Sequence, residues 1–317
     1  MASKNISTTF IPLIKKICAG FLAVTTLLCL AGCVSDEHPE KWPSDNFSDV
    51  STTQGENSTV TTTTQPVSNE VSLPEQVIFE QNDIKITVTG LDNSGFWGPA
   101  VKLLIENNST QNITVQTRNC SVNGIMVDPL FSEDVASSKK ANTSIDIFSS
   151  ELKAAGVSTI KDIEFYFTII DAESWSNIVD SEVISLTTSA DPSFVQTYDD
   201  SGFVAYDKNG VKIVAKKISS EDSFWGAELY LYIENNTDKN ITVQSRDVSV
   251  NGFMIDPIFS ADIVSGKKAF DSLTFFDSDL EENEITDIVD LELKFIISDM
   301  ESWHTLEETE IISIHFE

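Results

Sequence analysis

The chain has 317 residues, with 50 acidic and 20 basic side chains for a formal charge of −30, 41% hydrophobic residues and 19 phenylalanines. That length holds about two domains, and the apolar content suffices for packed cores. A surface this negative repels polyphosphates and anionic lipid headgroups, which argues against nucleic-acid binding and against a folded part lying on a membrane.

Residues 1–16 are polar and carry Lys4, Lys15 and Lys16, and residues 17–31 form an apolar run too short to span a bilayer comfortably. The pattern predicts a secretory leader. It ends in Leu30-Ala31-Gly32-Cys33, a tetrapeptide that resembles the lipobox of bacterial lipoproteins. The resemblance implies cleavage before Cys33, acylation of that cysteine, and a lipid anchor holding the chain on the extracellular face of the cell membrane. An ordinary signal peptide and an uncleaved anchor remain open as alternatives. Two or three acyl chains attach firmly where one is marginal.

Residues 33–76 then lose all apolar periodicity. Runs such as Ser51-Thr52-Thr53 and Thr61-Thr62-Thr63-Thr64 predict a disordered linker, whose 43 or so residues average about 35 Å end to end.

From residue 77 the pattern is that of strands, and it is written twice. Phe96-Trp97-Gly98, Ile105-Glu106-Asn107-Asn108, Asn112-Ile113-Thr114-Val115-Gln116, Val122-Asn123-Gly124, Asp128-Pro129 and Glu173-Ser174-Trp175 return at a constant offset of 128 residues, from Phe224-Trp225-Gly226 to Glu301-Ser302-Trp303. Such self-similarity marks one folding unit copied whole. The expected organisation is a leader over 1–32, Cys33 and linker over 33–76, a first repeat over 77–190, a connection over 191–203 and a second repeat over 204–317.

Each repeat opens with a predicted hairpin, around Asn82-Asp83 and around Asn209-Gly210. Val101, Leu103 and Ile105 alternate with Lys102, Leu104 and Glu106, and Asn123-Gly124 and Asn251-Gly252 signal further hairpins. Cys120 falls in a strand opposite Val248 of the second copy and reads as a small core residue; with Cys18 and Cys29 lost with the leader, no intramolecular disulfide is expected. Lys139-Lys140 and Lys267-Lys268 read as exposed turns. The stretch from Ser150 to Gly156, with a serine cap and a closing glycine, predicts one helical turn. Ile163, Phe165, Phe167 and Ile169 alternate cleanly, as do Leu291, Leu293, Phe295 and Ile297, and one last strand closes each copy. Seven or eight short strands in about 110 residues predict an all-β fold of two tandem antiparallel β-sandwiches. In these phrases the pair resembles the immunoglobulin-like (telokin-like) extracellular domains of lipoproteins from Gram-positive bacteria. The resemblance implies sandwich modules without assigned activity.

Histidine is confined to His38, His304 and His315, and no phosphate loop, dinucleotide fingerprint or nucleophile elbow occurs. No zinc cluster or catalytic triad can be assembled from these residues, so neither a cofactor nor an enzymatic activity is expected. Asp171 with Glu173, and Asp299 with Glu301, place two acids at the end of a core strand, as a weak calcium site would; the spacing lacks a dedicated calcium loop, and a solvated turn is the preferred reading. Trp97 and Trp225 fit either a ligand-stacking rim or a plug at the end of the core, the plug being favoured with a loss of about 3 kcal/mol or more on truncation. Arg118 and Arg246, the chain's two arginines, suit recognition of a carboxylate ligand or, preferably, pairing with a neighbouring acid.

The combined expectation is a monomeric, membrane-anchored, non-enzymatic binding or structural module of the cell envelope, contacting an envelope protein, cell-wall material or a small ligand. The alternative is a solute-binding lipoprotein of a transporter. That class closes two α/β lobes on its ligand, and the scarcity of helical periodicity counts against it.

Overall fold

In the computed structural model, residues 70–219 and 225–316 are described. The expected leader, the lipidation site Cys33 and nearly all of the linker lie outside them, as does Phe224.

The first repeat runs β1 (Gln76–Gln81), β2 (Ile84–Asp92), β3 (Ala100–Asn107), β4 (Ile113–Val122), β5 (Ile125–Met126), β6 (Ser132–Val135), β7 (Lys139–Asp146), α1 (Ser149–Ala154), β8 (Asp162–Asp171), β9 (Asn177–Asp180) and β10 (Ile184–Thr187). The second repeats this order as β11 (Phe203–Lys208), β12 (Val211–Ser219), β13 (Gly226–Asn235), β14 (Ile241–Val250), β15 (Phe253–Met254), β16 (Ser260–Ile263), β17 (Lys268–Phe276), α2 (Asp277–Glu282), β18 (Asp290–Asp299), β19 (Thr305–Glu308) and β20 (Ile312–His315). In the first repeat the sheet β1-β2-β3-β7 faces a second one built on β4 and β8; in the second, β11-β12-β13-β17 faces the sheet built on β14 and β18. Both are antiparallel β-sandwiches, as the alternation predicts.

The alternation works because successive strand residues point to opposite faces. Leu103, Ile105 and Ile145 from one sheet meet Ile113, Val115, Phe165 and Phe167 from the other in one apolar cluster, and Leu231, Ile233 and Leu273 meet Val243, Leu293 and Phe295 in a second. The opening hairpins turn on Asn82 and Asp83 and on Asn209 and Gly210, all at positive φ, as tight hairpins of matching twist require. Cys120 is buried in β4 and Val248 in β14, and burial pushes the Cys120 thiol far above the usual thiol range.

Three local expectations are corrected and one element is added. Val71 and Leu73, assigned to the linker, are buried in the first core, where the Ser189 N–H donates to the Ser72 carbonyl at 2.9 Å; two isolated apolar residues carry no period and were invisible to a periodicity argument. The closing strand of each repeat is found, as β10 and β20, and each is preceded by a short strand not anticipated, β9 and β19, all four pairing with β8 or β18. The helix α1 starts at Ser149 without a side-chain cap, its first N–H being taken by the Trp97 carbonyl at 2.9 Å. Lys139, Lys140 and Lys268 belong to strands rather than turns; in the first repeat the reversal is made just before them, with Ser138 at positive φ.

The repeats meet through β5 and the edge of β17, where Lys268 pairs in parallel with Ile125 and its N–H donates to the Gly124 carbonyl at 2.9 Å. Lys267 forms an ion pair with Glu164. The connection is fastened to both sides. Lys161 donates to the carbonyls of Pro192 and Phe194 at 2.9 Å, the Tyr198 hydroxyl donates to the Asn123 carbonyl, and the Lys268 ammonium lies 5.1 Å from the Tyr198 ring centre.

Candidate functional site

Most of the repeated phrases turn out to hold the fold together. In Glu-Asn-Asn, the first asparagine is wholly buried in each copy. The Asn107 amide donates to the carbonyls of Gln111 and Val135 at 2.8 and 2.9 Å, and its oxygen accepts from the N–H and hydroxyl of Ser109 at 3.0 and 2.6 Å. Asn235 does the same with Lys239, Ile263 and Thr237. In Val-Asn-Gly, Asn123 and Asn251 take positive φ, and their side-chain oxygens accept from two successive backbone N–H groups leading into β8 and β18. A buried polar side chain is tolerable only when paired, and these are paired at every position.

The acidic loops are likewise occupied. Asp171 accepts the Glu173 and Ser174 N–H groups at 3.1 and 2.7 Å and the Ser174 hydroxyl at 2.9 Å, which holds its carboxyl below the usual carboxylate range. Asp299 repeats this with Glu301 and Ser302 and adds an ion pair to Lys239 at 3.1 Å. Glu173 accepts from the Asn112 amide at 3.3 Å, and Glu301 is exposed. Among the described residues no group of three or more His, Cys, Asp and Glu is disposed to hold a metal ion.

Neither arginine takes part in an ion pair among the described residues, contrary to the preferred expectation. The Arg118 guanidinium donates to the Gln116 side-chain oxygen at 2.6 Å and to the Thr117 carbonyl at 3.4 Å. Arg118 precedes an irregularity in β4, where Asn119 has positive φ and the pairing with β8 skips two residues. Its side chain lines an open groove of about 1680 Å³ between the repeats, with Asp128, Glu151, Lys216, Glu228 and Asp271. Arg246, its copy, is not on that groove. There Glu151 accepts the Asp128 N–H at 3.1 Å; desolvation, with the nearby Asp128 and Asp271 charges, raises it to about 7, and burial raises Asp271 to about 6. Sequence inspection misses this pair because its members come from different repeats and the duplication does not mark it: Asp279 matches Glu151, but Thr143 stands at the first-repeat counterpart of Asp271.

The tryptophans depart furthest from expectation. Trp97 is 52% exposed and Trp225 60%, so neither plugs a core, and Phe96 beside Trp97 is almost wholly exposed. A turn closed by the Gly98 N–H on the Gly95 carbonyl at 3.1 Å carries Phe96 and Trp97 at its tip. Gly98, at φ +146°, lets this turn press on the end of β7, because a Cβ there would stand 2.2 Å from the Ile147 carbonyl oxygen. Gly226 repeats the device at φ +144°, 2.1 Å from the Phe275 carbonyl oxygen. The clamped backbone leaves the rings on the outside, Trp97 edge-on to Phe148 at 6.0 Å and Trp225 to Phe276 at 6.5 Å. Trp175 and Trp303, at the tips of the acidic turns and both at positive φ, are exposed as well.

No helix among the described residues is long and apolar enough to cross a membrane. No family model and no curated protein matches the chain. Among solved structures, the Salmonella enterica SafA pilin in complex with the SafB chaperone is similar at 12% identity, covering 75% of this chain and 98% of that one, with a TM-score of 0.23. The Acinetobacter baumannii CsuC-CsuE chaperone-tip adhesion subunit pre-assembly complex is similar at 13% identity over 68% of this chain and 90% of that one, with a TM-score of 0.20.

Proposed function

We propose that this protein is a non-enzymatic binding module of the cell envelope, tethered through acylated Cys33, whose contact surfaces are the aromatic ledges at Trp97 and Trp225. The observation that carries the reading is that both repeats keep a tryptophan more than half exposed beside a glycine pressed against the sandwich. The buried asparagines and the Asp171 and Asp299 turns are, by contrast, engaged within each sandwich. Exposed indoles backed by a second ring offer a flat, desolvation-ready face for a sugar or an apolar side chain. The formal charge of −30 opposes anionic polymers, so the favoured ligand is the uncharged glycan of cell-wall material. The solute-binding alternative finds less support, since the described chain is built from strands without two α/β lobes.

Cosedimentation of the full chain with purified cell-wall glycan tests this. Wild type is expected to pellet, and the double variant Trp97→Ala, Trp225→Ala to stay in solution while its melting temperature stays close to wild type. Pelleting by the double variant, or none by wild type, would overturn the reading. Metabolic labelling with a palmitate analogue tests the tether: Cys33→Ala should abolish incorporation, and labelling that survives removes the anchor from the proposal.

A further inference from the structure

The contact between the repeats is head-to-tail: the β5 tip of the first repeat meets the β17 edge of the second. Because the repeats are copies, each also carries the half of the joint that it does not use. The counterpart of β5 is β15 at the far end of the second repeat, and the counterpart of β17 is β7 at the near edge of the first. Both are uncovered. Ile125 is 1% exposed within the joint, whereas Phe253, which stands in its place, is 47% exposed, and Met254 is 67% exposed. The Lys268 side chain retains 22% of its surface against 62% for Lys140. A Cβ on Gly124 would meet the Tyr198 hydroxyl at 3.5 Å, but one on Gly252 would meet nothing within 4 Å.

The register and charges correspond as well. Lys268 lies opposite Glu234 as Lys140 lies opposite Glu106, so the backbone N–H that reaches Gly124 from β17 has an equivalent on the free edge of β7. The Lys267–Glu164 ion pair maps onto Lys139 and Glu292, both exposed and neither in an ion pair among the described residues. A two-residue apolar tip beside an acid, and a strand edge beside a lysine, are thus left at opposite ends of one chain.

We infer that copies of this chain associate head to tail, the Phe253-Met254 tip of one molecule docking on the β7 edge of the next with Glu292 against Lys139. A heterologous contact of this kind does not close on itself in a dimer and propagates instead. It goes beyond the binding role proposed above and does not depend on it. The joint between molecules is weaker than the one within the chain. Position 71, the counterpart of Tyr198 at the offset of 127 kept by the opening strands, is Val71, which has no hydroxyl to reach a neighbouring tip, and no covalent connection supplies a high effective concentration. The formal charge of −30 opposes association at low salt and is largely screened at about 0.15 M.

Sedimentation equilibrium of the full chain, held in detergent at about 0.15 M salt, reads this directly. The mass is expected to rise with concentration beyond that of two chains. Lys139→Glu and Glu292→Lys should each weaken association at least tenfold while circular dichroism stays unchanged, and the two combined in one chain should restore it, because the pair is reversed but intact. Wild type that remains a single chain up to about 1 mM, or a combined variant that fails to recover, would overturn the inference. A second readout is disulfide trapping: Lys140→Cys with Phe253→Cys should give a ladder of bands above the dimer, and trapping that stops at the dimer would refute open-ended growth.

Discussion

The asparagine clamps define the most demanding test of how the sandwiches are held. Replacing Asn107 by alanine removes two donors and one acceptor from a site with no solvent exposure. The partners differ in what happens next. The carbonyl of Gln111 and the polar groups of Ser109 lie at the loop and can turn to water, since Gln111 is exposed and Ser109 only half-buried, but the Val135 carbonyl belongs to a residue that is 2% exposed. Leaving such a buried acceptor unpaired costs about 1–3 kcal/mol, and the lost loop bonds, at about 0.5–1.5 kcal/mol net each, raise the sum to roughly 3 kcal/mol. That is a large part of the 5–15 kcal/mol by which a domain is ordinarily stable. Because the repeats share a joint, urea melts of the whole chain need not be two-state, so native-state hydrogen exchange is the better assay. Amides of β3 and β4 should lose protection in Asn107→Ala while those of β13 and β14 keep theirs, and Asn235→Ala should invert the pattern. A loss below about 1 kcal/mol in the targeted repeat would mean that this bond network is not what fixes the loop.

Two further outcomes follow from particular residues. Glu284 ends α2 at φ +55° where the first repeat has Gly156 at φ +67°, and it also puts a negative charge at a helix C-terminus; Glu284→Gly should therefore stabilise the chain by about 0.5–1 kcal/mol, read from the shift in urea midpoint. Glu151 and Asp271, raised to about 7 and about 6 from 4.5 and 3.8, bind protons in the folded chain that the unfolded chain has already released. Their contribution to stability is therefore fully present below about pH 4 and falls as pH rises toward about 7. Glu151→Gln should flatten the thermal melting curve across that window and leave it unchanged below about pH 4, and a variant as pH-sensitive as wild type would refute the assignment.

What the sequence made legible was whatever has a period or a fixed turn chemistry. Strict alternation in β3, β8 and β18 located the core faces, and Asn-Gly located the hairpins, because only a few residues tolerate positive φ. What stayed hidden depends on facts that periodicity does not carry. Asn107 and Asn108 look alike on paper, yet one is wholly buried and the other exposed, a difference set by which of them falls on the inward face at the end of β3. Phe-Trp-Gly fits a plug, the reading favoured from the sequence, or a rim. The glycine decides, through a close backbone approach that only the folded chain reveals. Glu151 and Asp271 stand together only because the repeats dock, which no reading of a single copy could anticipate.

Duplication also sharpens the question of what the two copies share. Fold and function are copied together, so identity between repeats separates them only when each shared residue is asked what it touches. The asparagines, the acidic turns and the clamp glycines answer with hydrogen bonds or close contacts inside their own sandwich. The tryptophans touch their own sandwich only in part: each meets one of its phenylalanines edge-on yet stays more than half exposed, which contributes little burial, and an exposed aromatic patch is a solubility cost that an acidic surface must offset. Phe253 and Met254 pose the opposite case: the apolar tip is exposed, whereas its copy at Ile125 is buried against β17. In the head-to-tail contact proposed above, a neighbouring β7 edge supplies the surface that its copy already finds on β17.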